Sequence, residues 1–206
     1  MSGEAGTQGV RAGLAANLAR FGWQAIPETR LRRAAVAVIA GMDGTAPAIL
    51  LTRRSARLRG HAGQWAFPGG RLDPGECELD AAIREAEEEV SARLDPQGDL
   101  LGRLDDYETR SGYVITPFVF WHGFATLRPN PDEVASLHTV RFGDIAGGRA
   151  AEHLPGPDPA RPILRLHLGE HQVHAPTAAI LHQFHEVALQ GRPTRVAHFD
   201  QPDWAR

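Results

Sequence analysis

The chain has 206 residues, is 42% hydrophobic and 23% charged, and so suits one sizeable globular domain with a substantial core. A net charge of −3 gives it no long-range attraction to nucleic acid or to anionic lipid. Cys77 is the single cysteine, which excludes an internal disulfide and fits a reducing cytoplasm. All 22 basic residues are Arg, a coding bias of a GC-rich genome that leaves a guanidinium fork at every cationic position. No apolar run approaches the roughly 18 residues that a membrane helix needs, and the first residues lack the short apolar core of a signal peptide.

Taken in chain order, Val10, Leu14, Leu18 and Phe21 recur at helical spacing beside Arg11 and Arg20, which predicts an amphipathic helix capping a domain. We place a helical extension at 1–30 and the main domain at 31–206. Ala34–Ala40 is a β-branched, apolar run; Met42-Asp43-Gly44 turns it into a second strand over Ile49–Arg53. Residues 54–70 are rich in Arg and Gly and read as an irregular connection. A helix begins near Glu78 and must stop before Pro96. Leu100–Tyr107 and Tyr113–Phe124 read as two long strands joined by a turn at Ser111-Gly112, and Leu137–Phe142 as another. The Gly- and Pro-rich stretch 147–161 reads as loop. Ile163–Val173 predicts a hairpin about Gly169-Glu170, and residues 177–190 a last helix with Ala178, Leu181, Phe184, Ala188 and Leu189 turned inward. Strands with a few interspersed helices, and no strict βαβ alternation, point to an α/β/α sandwich around a mixed sheet, in a single domain.

The helix after Glu78 carries the chemistry. Glu85, Glu88 and Glu89 stand at i, i+3 and i+4 and cover only about 100° of its surface. Like charges this close repel by a few tenths of a kcal/mol per exposed pair, so the cluster calls for a compensating cation. Oxygen-only donors select a hard ion, Mg²⁺ or Mn²⁺, over zinc. Leu79, Ile83, Ala86 and Val90 form an apolar stripe on the other side, so one face should pack while the other holds metal.

Gly70, five residues, Glu76, seven residues, and then Arg84-Glu85-Ala86-Glu87-Glu88-Glu89 resembles the signature of the Nudix hydrolase family. The end departs from it: Ser91 stands where the family has Gly and Ala92 where it has a larger aliphatic residue. Without that Gly the helix is expected to run on toward Leu94. The resemblance implies that Glu85, Glu88 and Glu89 ligate the metal, that Glu76 is a further ligand or a partner of one, and that Arg84 holds carboxylates in position by a bidentate bond. Gly69 and Gly70 would let the backbone come close to metal or diphosphate. Asp132-Glu133-Val134 falls where many members have a loop Glu, and either Glu88 or Glu133 would be the general base.

Upstream, Leu50-Leu51-Thr52-Arg53-Arg54-Ser55, then Arg59, Gly63 and Phe67-Pro68-Gly69-Gly70, is similar without a gap to the extended motif of the family's coenzyme A pyrophosphatase branch. Arg53, Arg54, Arg57 and Arg59 put four positive charges into seven residues, and of these Arg54 and Arg59 are the expected substrate contacts. The resemblance implies metal-dependent hydrolysis of the diphosphate of coenzyme A or acyl-CoA in the cytoplasm. A small nucleotide would be its partner, without nucleic acid or membrane, and a homodimer is allowed. Two alternatives stay open: cleavage of another nucleoside diphosphate derivative (a dinucleoside polyphosphate, NADH or ADP-ribose), and a non-catalytic nucleotide-binding regulator. His167, His171, His174, His182 and His185 have spacings that zinc could use but read as surface or core histidines, and Tyr107 reads as a core tyrosine.

Overall fold

A computed structural model describes residues 2–27, 30–57, 63–146 and 151–202. The chain opens with α1 (Ser2–Arg20), then β1 (Arg32–Asp43), β2 (Ala46–Arg54), β3 (Trp65–Ala66) and β4 (Gly69–Arg71). The acidic helix is α2 (Glu78–Val90). It is followed by β5 (Leu100–Arg103), β6 (Tyr107–Glu108), β7 (Tyr113–Trp121), β8 (Val134–Arg141) and the short α3 (Phe142–Ala146). A small sheet of β9 (Ala151–Leu154), β10 (Ile163–Leu168) and β11 (His171–His174) precedes α4 (Thr177–Phe184), which continues as a π-helical turn over His185–Leu189.

The main sheet runs β3-β2-β1-β7-β5, with β4 added to β1, β6 to β7 and β8 to β2. β1 and β7 are parallel and the other described pairs antiparallel, so the sheet is mixed. β1 is central and apolar on both faces, as a strand covered on both sides must be. Ala35, Ala37 and Ile39 face α2 through Ala81, Ala82, Ala86 and Val90. Val38 and Ala40 face the opposite layer, in which Leu14, Leu18 and Phe21 of the N-terminal segment meet Leu181, Phe184 and Val187. This is the expected α/β/α sandwich. No helix among the described residues is long and apolar enough to cross a membrane.

Several local expectations change. The strand expected over Leu100–Tyr107 breaks at Leu104–Asp106, because Asp105 and Asp106 leave the ladder to bond elsewhere. Asp106 accepts from Thr116 Oγ1 (2.8 Å), the Ile26 amide (2.9 Å) and Arg33 (3.2 Å), and Asp105 from Gln183 (2.6 Å), Arg195 (2.6 Å) and the Gln24 amide (2.7 Å). These bonds tie the segment after α1, and the C-terminal segment, to the sheet. β7 ends at Trp121, short of Phe124, and β8 starts earlier than expected, at Val134. Part of the stretch taken as loop is β9, paired with β10, while 147–150 lie outside the described residues.

α2 does not run on toward Leu94. It ends at Val90, and Ser91 takes the left-handed conformation (φ 57°) that a Gly would take more easily, with its amide bonded to Glu87 O at 3.0 Å. The packing face is also rotated from the expected stripe. Alanines 81, 82 and 86 carry the helix onto β1, Leu79 and Ile83 are only partly buried, and Glu89 is 3% exposed, within the packed face.

Candidate active site

The site forms where β4 passes the side of α2. Gly69 and Gly70 pair with Val36 and Ala35 of β1, and the preceding Pro68 carbonyl accepts from the Ala37 amide at 2.8 Å. That close approach needs glycine: a Cβ on Gly69 would lie 2.6 Å from Val36 Cα. At Gly70 the missing side chain makes room for chemistry, since a Cβ there would lie 2.6 Å from Glu85 Oε2. The Glu85 carboxylate therefore rests on the bare face of Gly70.

α2 begins at Cys77, whose Sγ accepts from the Asp80 amide at 3.5 Å, with Glu78 and Asp80 in the first turn where the helix dipole favours acids. Arg84 then engages three glutamates. Its Nε and Nη2 donate to the two oxygens of Glu76 at 2.9 and 3.0 Å, and its Nη1 donates to Glu85 Oε1 at 2.9 Å and Glu88 Oε2 at 3.1 Å. Nη2 also reaches the Arg71 carbonyl at 3.0 Å, fixing the fork to β4. These bonds hold the Glu76 carboxyl below the usual carboxylate range and push the Arg84 guanidinium up. With both oxygens on Arg84, Glu76 sits as that arginine's partner.

Glu89 is the most sequestered of the acids. Burial pushes its carboxyl up to about 7, against the opposing charge of Arg54, whose Nη1 lies 3.6 Å from Glu89 Oε1. Glu85 and Glu133 raise it further, while the Gly69 amide donates to it. Burial also raises Glu85, opposed by Arg84 and reinforced by Glu88 and Glu133. Glu133 thus joins the cluster from a distant part of the chain. The β2–β8 register sets Arg54 opposite Val134, and the Ser55 amide donates to the Glu133 carbonyl at 2.8 Å, so the two loops meet beside α2.

The donor chemistry fits a hard divalent cation. Glu85 and Glu89 are desolvated carboxylates in one another's field, their donor atoms are oxygen, and among the described residues Arg54 and Arg84 offset the charge. Among the described residues no three acidic or histidine side chains already converge on one point, because Glu85 and Glu88 share Arg84 Nη1. A cation would take these flexible carboxylates in competition with that nitrogen.

The structure brings together Glu85, Glu88, Glu89, Glu133, Arg84, Gly69, Gly70 and Arg54 from the sequence expectations. Arg59 lies outside the described residues. Arg53 turns away, its Nε donating to the Gly63 carbonyl at 3.3 Å. Of the histidines, His167 pairs with Glu152 at 2.9 Å and His174 with Arg165 at 3.1 Å. Tyr107 is buried and donates to the Phe199 carbonyl at 2.9 Å.

Sequence reasoning missed a cavity of about 290 Å³ that Arg54, Gly69 and Gly70 share with the acidic cluster. Its other walls include Trp65, Tyr113, Ile115, Thr177 and Ile180. Two of these lie in the last 60 residues, which carry no motif, and no local pattern marks the others.

A family model described as the NUDIX domain matches residues 30–165. The chain is 36% identical over 182 residues to an uncharacterized Nudix hydrolase NudL of Pectobacterium atrosepticum, covering 84% of this chain and 92% of that protein. It is 45% identical over 100 residues to the protein of that name from Photorhabdus laumondii, covering 48% of this chain and 53% of that one. The chain thus spans only about half the length of some curated relatives it matches. Among solved structures it resembles a MutT NUDIX hydrolase from Burkholderia pseudomallei, at 26% identity and a TM-score of 0.47, over 75% of this chain and 98% of that one. The chain belongs to the Nudix hydrolase family.

Proposed function

We propose that this protein hydrolyses the diphosphate linkage of coenzyme A or an acyl-CoA to 3′,5′-ADP and 4′-phosphopantetheine or its acyl form, with Mg²⁺ or Mn²⁺ as the resident ion. Membership of the family supports a hydrolase of diphosphate-containing substrates. The ungapped motif from Leu50 to Gly70 supports the coenzyme A class. The observation that carries the reading is the pair of desolvated carboxylates, Glu85 on Gly70 and Glu89 on the Gly69 amide, each within the field of Glu133, with Arg84 on the first and Arg54 on the second.

Glu85, Glu88 and Glu89 are the residues to hold the ion, and Arg84, anchored on Glu76, keeps the first two oriented. A divalent cation there would lower the pKa of a bound water and offset charge on the phosphoryl oxygens. Arg54 binds substrate oxygens while it neutralises Glu89. Glu133 is the better-placed acceptor for the proton of the attacking water. Its charge acts on both Glu85 and Glu89, whereas Glu88 is exposed and tied to Arg84. In this reading residues 1–30 are an extension docked on a hydrolase domain at 31–206, and the protein works in the cytoplasm on a small nucleotide.

The test is mass spectrometry of the products formed from coenzyme A with Mg²⁺ or Mn²⁺ in H₂¹⁸O. Labelled 3′,5′-ADP or labelled phosphopantetheine supports the reading and identifies the phosphorus attacked. Cleavage of ADP-ribose or NADH with coenzyme A left intact overturns the substrate. No cleavage of any of the three by folded, metal-loaded protein overturns the activity.

A further inference from the structure

Among the described residues, two side-chain polar atoms are shielded from solvent and have no hydrogen-bond partner: Arg54 Nε and Tyr113 Oη. Each such atom ordinarily costs the full desolvation of the group, and native structures keep few of them. Both residues line the same cavity beside the acidic cluster. Arg54 also touches Glu89, and Gly70, which lines the cavity too, carries the Glu85 carboxylate. The cavity and the acids are therefore neighbours across β4.

Tyr113 is held firmly despite its idle hydroxyl. The Arg32 guanidinium lies 4.0 Å from its ring centroid and that of Arg71 5.3 Å, while its backbone carbonyl accepts from Thr109 Oγ1 at 3.2 Å. Guanidinium groups stacked on a ring fix its plane and leave the hydroxyl edge free. The rest of the wall mixes apolar Val36, Phe67, Ile115 and Ile180 with polar side chains such as Arg71 and Thr177. Ligand sites are commonly cavities of this kind, apolar walls carrying a few placed polar groups.

We infer that this cavity receives the half of a nucleoside diphosphate derivative that projects away from the scissile diphosphate, and that Tyr113 Oη is a specificity-determining contact to a hydrogen-bonding group on it. The inference rests on the proposed diphosphate hydrolysis. Arg54 Nε can only donate and is cationic, so it takes an anionic oxygen at the end of the cavity beside Glu89. Tyr113 Oη can donate or accept, so it reads a hydrogen-bonding group at its own end of the cavity, where Arg71 also lines the wall. The diphosphate thereby lies at Arg54 and the apolar body of the substrate runs toward Tyr113.

The variant Tyr113→Phe separates a ligand contact from a structural one. Removing a hydroxyl that bonds nothing in the free protein should leave urea stability unchanged or slightly higher. Removing a substrate contact should raise KM by about tenfold, with kcat nearly unchanged. Wild type and variant are compared on coenzyme A, ADP-ribose and NADH with Mg²⁺, and for urea unfolding without ligand. If wild type cleaves none of the three, the proposed activity fails. If wild type cleaves one and the variant shows the same KM on it, the Tyr113 assignment is overturned while the activity stands. A fall in ligand-free stability matching any kinetic loss also overturns it, because the hydroxyl would then serve the fold.

Discussion

Replacing Glu89 by Gln should change how the metal-free protein responds to pH, in a direction that the burial of this carboxylate dictates. Folding moves its midpoint from the ordinary 4.5 to about 7, so the folded chain binds that proton more tightly than the unfolded chain does. Between those values the folded state carries the extra proton, and stability falls as pH rises. At about 1.4 kcal/mol per pH unit the loss by pH 8 comes to roughly 3 kcal/mol. In Glu89→Gln nothing titrates at this position, and the amide can still accept from Gly69. The histidines that burial holds low (His138, His174, His182 and His198) tilt stability the other way, but equally in both proteins. The difference between the two urea-unfolding free energies, measured in chelator at pH 5, 6, 7 and 8, should therefore grow in favour of the variant by up to about 3 kcal/mol. Adding Mg²⁺ at pH 8 should recover stability in the wild type and much less in the variant. Parallel pH curves for the two proteins would refute the claim that Glu89 is a desolvated, cation-seeking acid.

Three further outcomes follow from the same geometry. Gly70→Ala places a methyl 2.6 Å from Glu85 Oε2, and because a carboxylate at the end of a flexible chain can swing aside, the circular dichroism spectrum should be unchanged while Mn²⁺ affinity by calorimetry drops about tenfold or more. Arg84→Lys keeps the charge but loses the fork that spans Glu76, Glu85 and Glu88, so kcat should fall about 10- to 100-fold, and near-normal turnover would show that the fork is dispensable. Ser91→Gly relieves a left-handed residue at the end of α2 and should raise unfolding free energy by about 0.5–1 kcal/mol with activity intact; a loss of stability would mean that the Ser91 conformation carries no strain.

The acidic ridge was legible in the sequence because helix geometry is local, whereas the part of Arg84 came from the resemblance to the family motif. Spacings of three and four residues fix which side chains share a side wherever the helix happens to sit. For the same reason the central strand and the C-terminal helix could be read from composition and period, while the glycines ahead of the ridge were marked by their place in the family motif. How the helix was rotated could not. The apolar stripe suggested Leu79 and Ile83 as its seat, yet the helix lies on alanines, which let it approach β1 closely and draw Glu89 into the packed face. That rotation turns one of three similar glutamates into the buried one.

What only the tertiary structure decided is long-range pairing. Glu133 reaches the acids because β2 and β8 pair in a register that sets Arg54 opposite Val134, about 80 residues away in sequence. Tyr113, Thr177 and Ile180 meet in one cavity because β7 lies parallel to β1 and α4 shares the apolar cluster on that side of the sheet. Asp105 and Asp106 break a strand to satisfy partners drawn from both ends of the chain. A residue's near neighbours are set by backbone stereochemistry, which the sequence spells out position by position. Its distant neighbours are set by how whole faces bury against one another, and that is fixed only when the sheet and its two helical layers have closed.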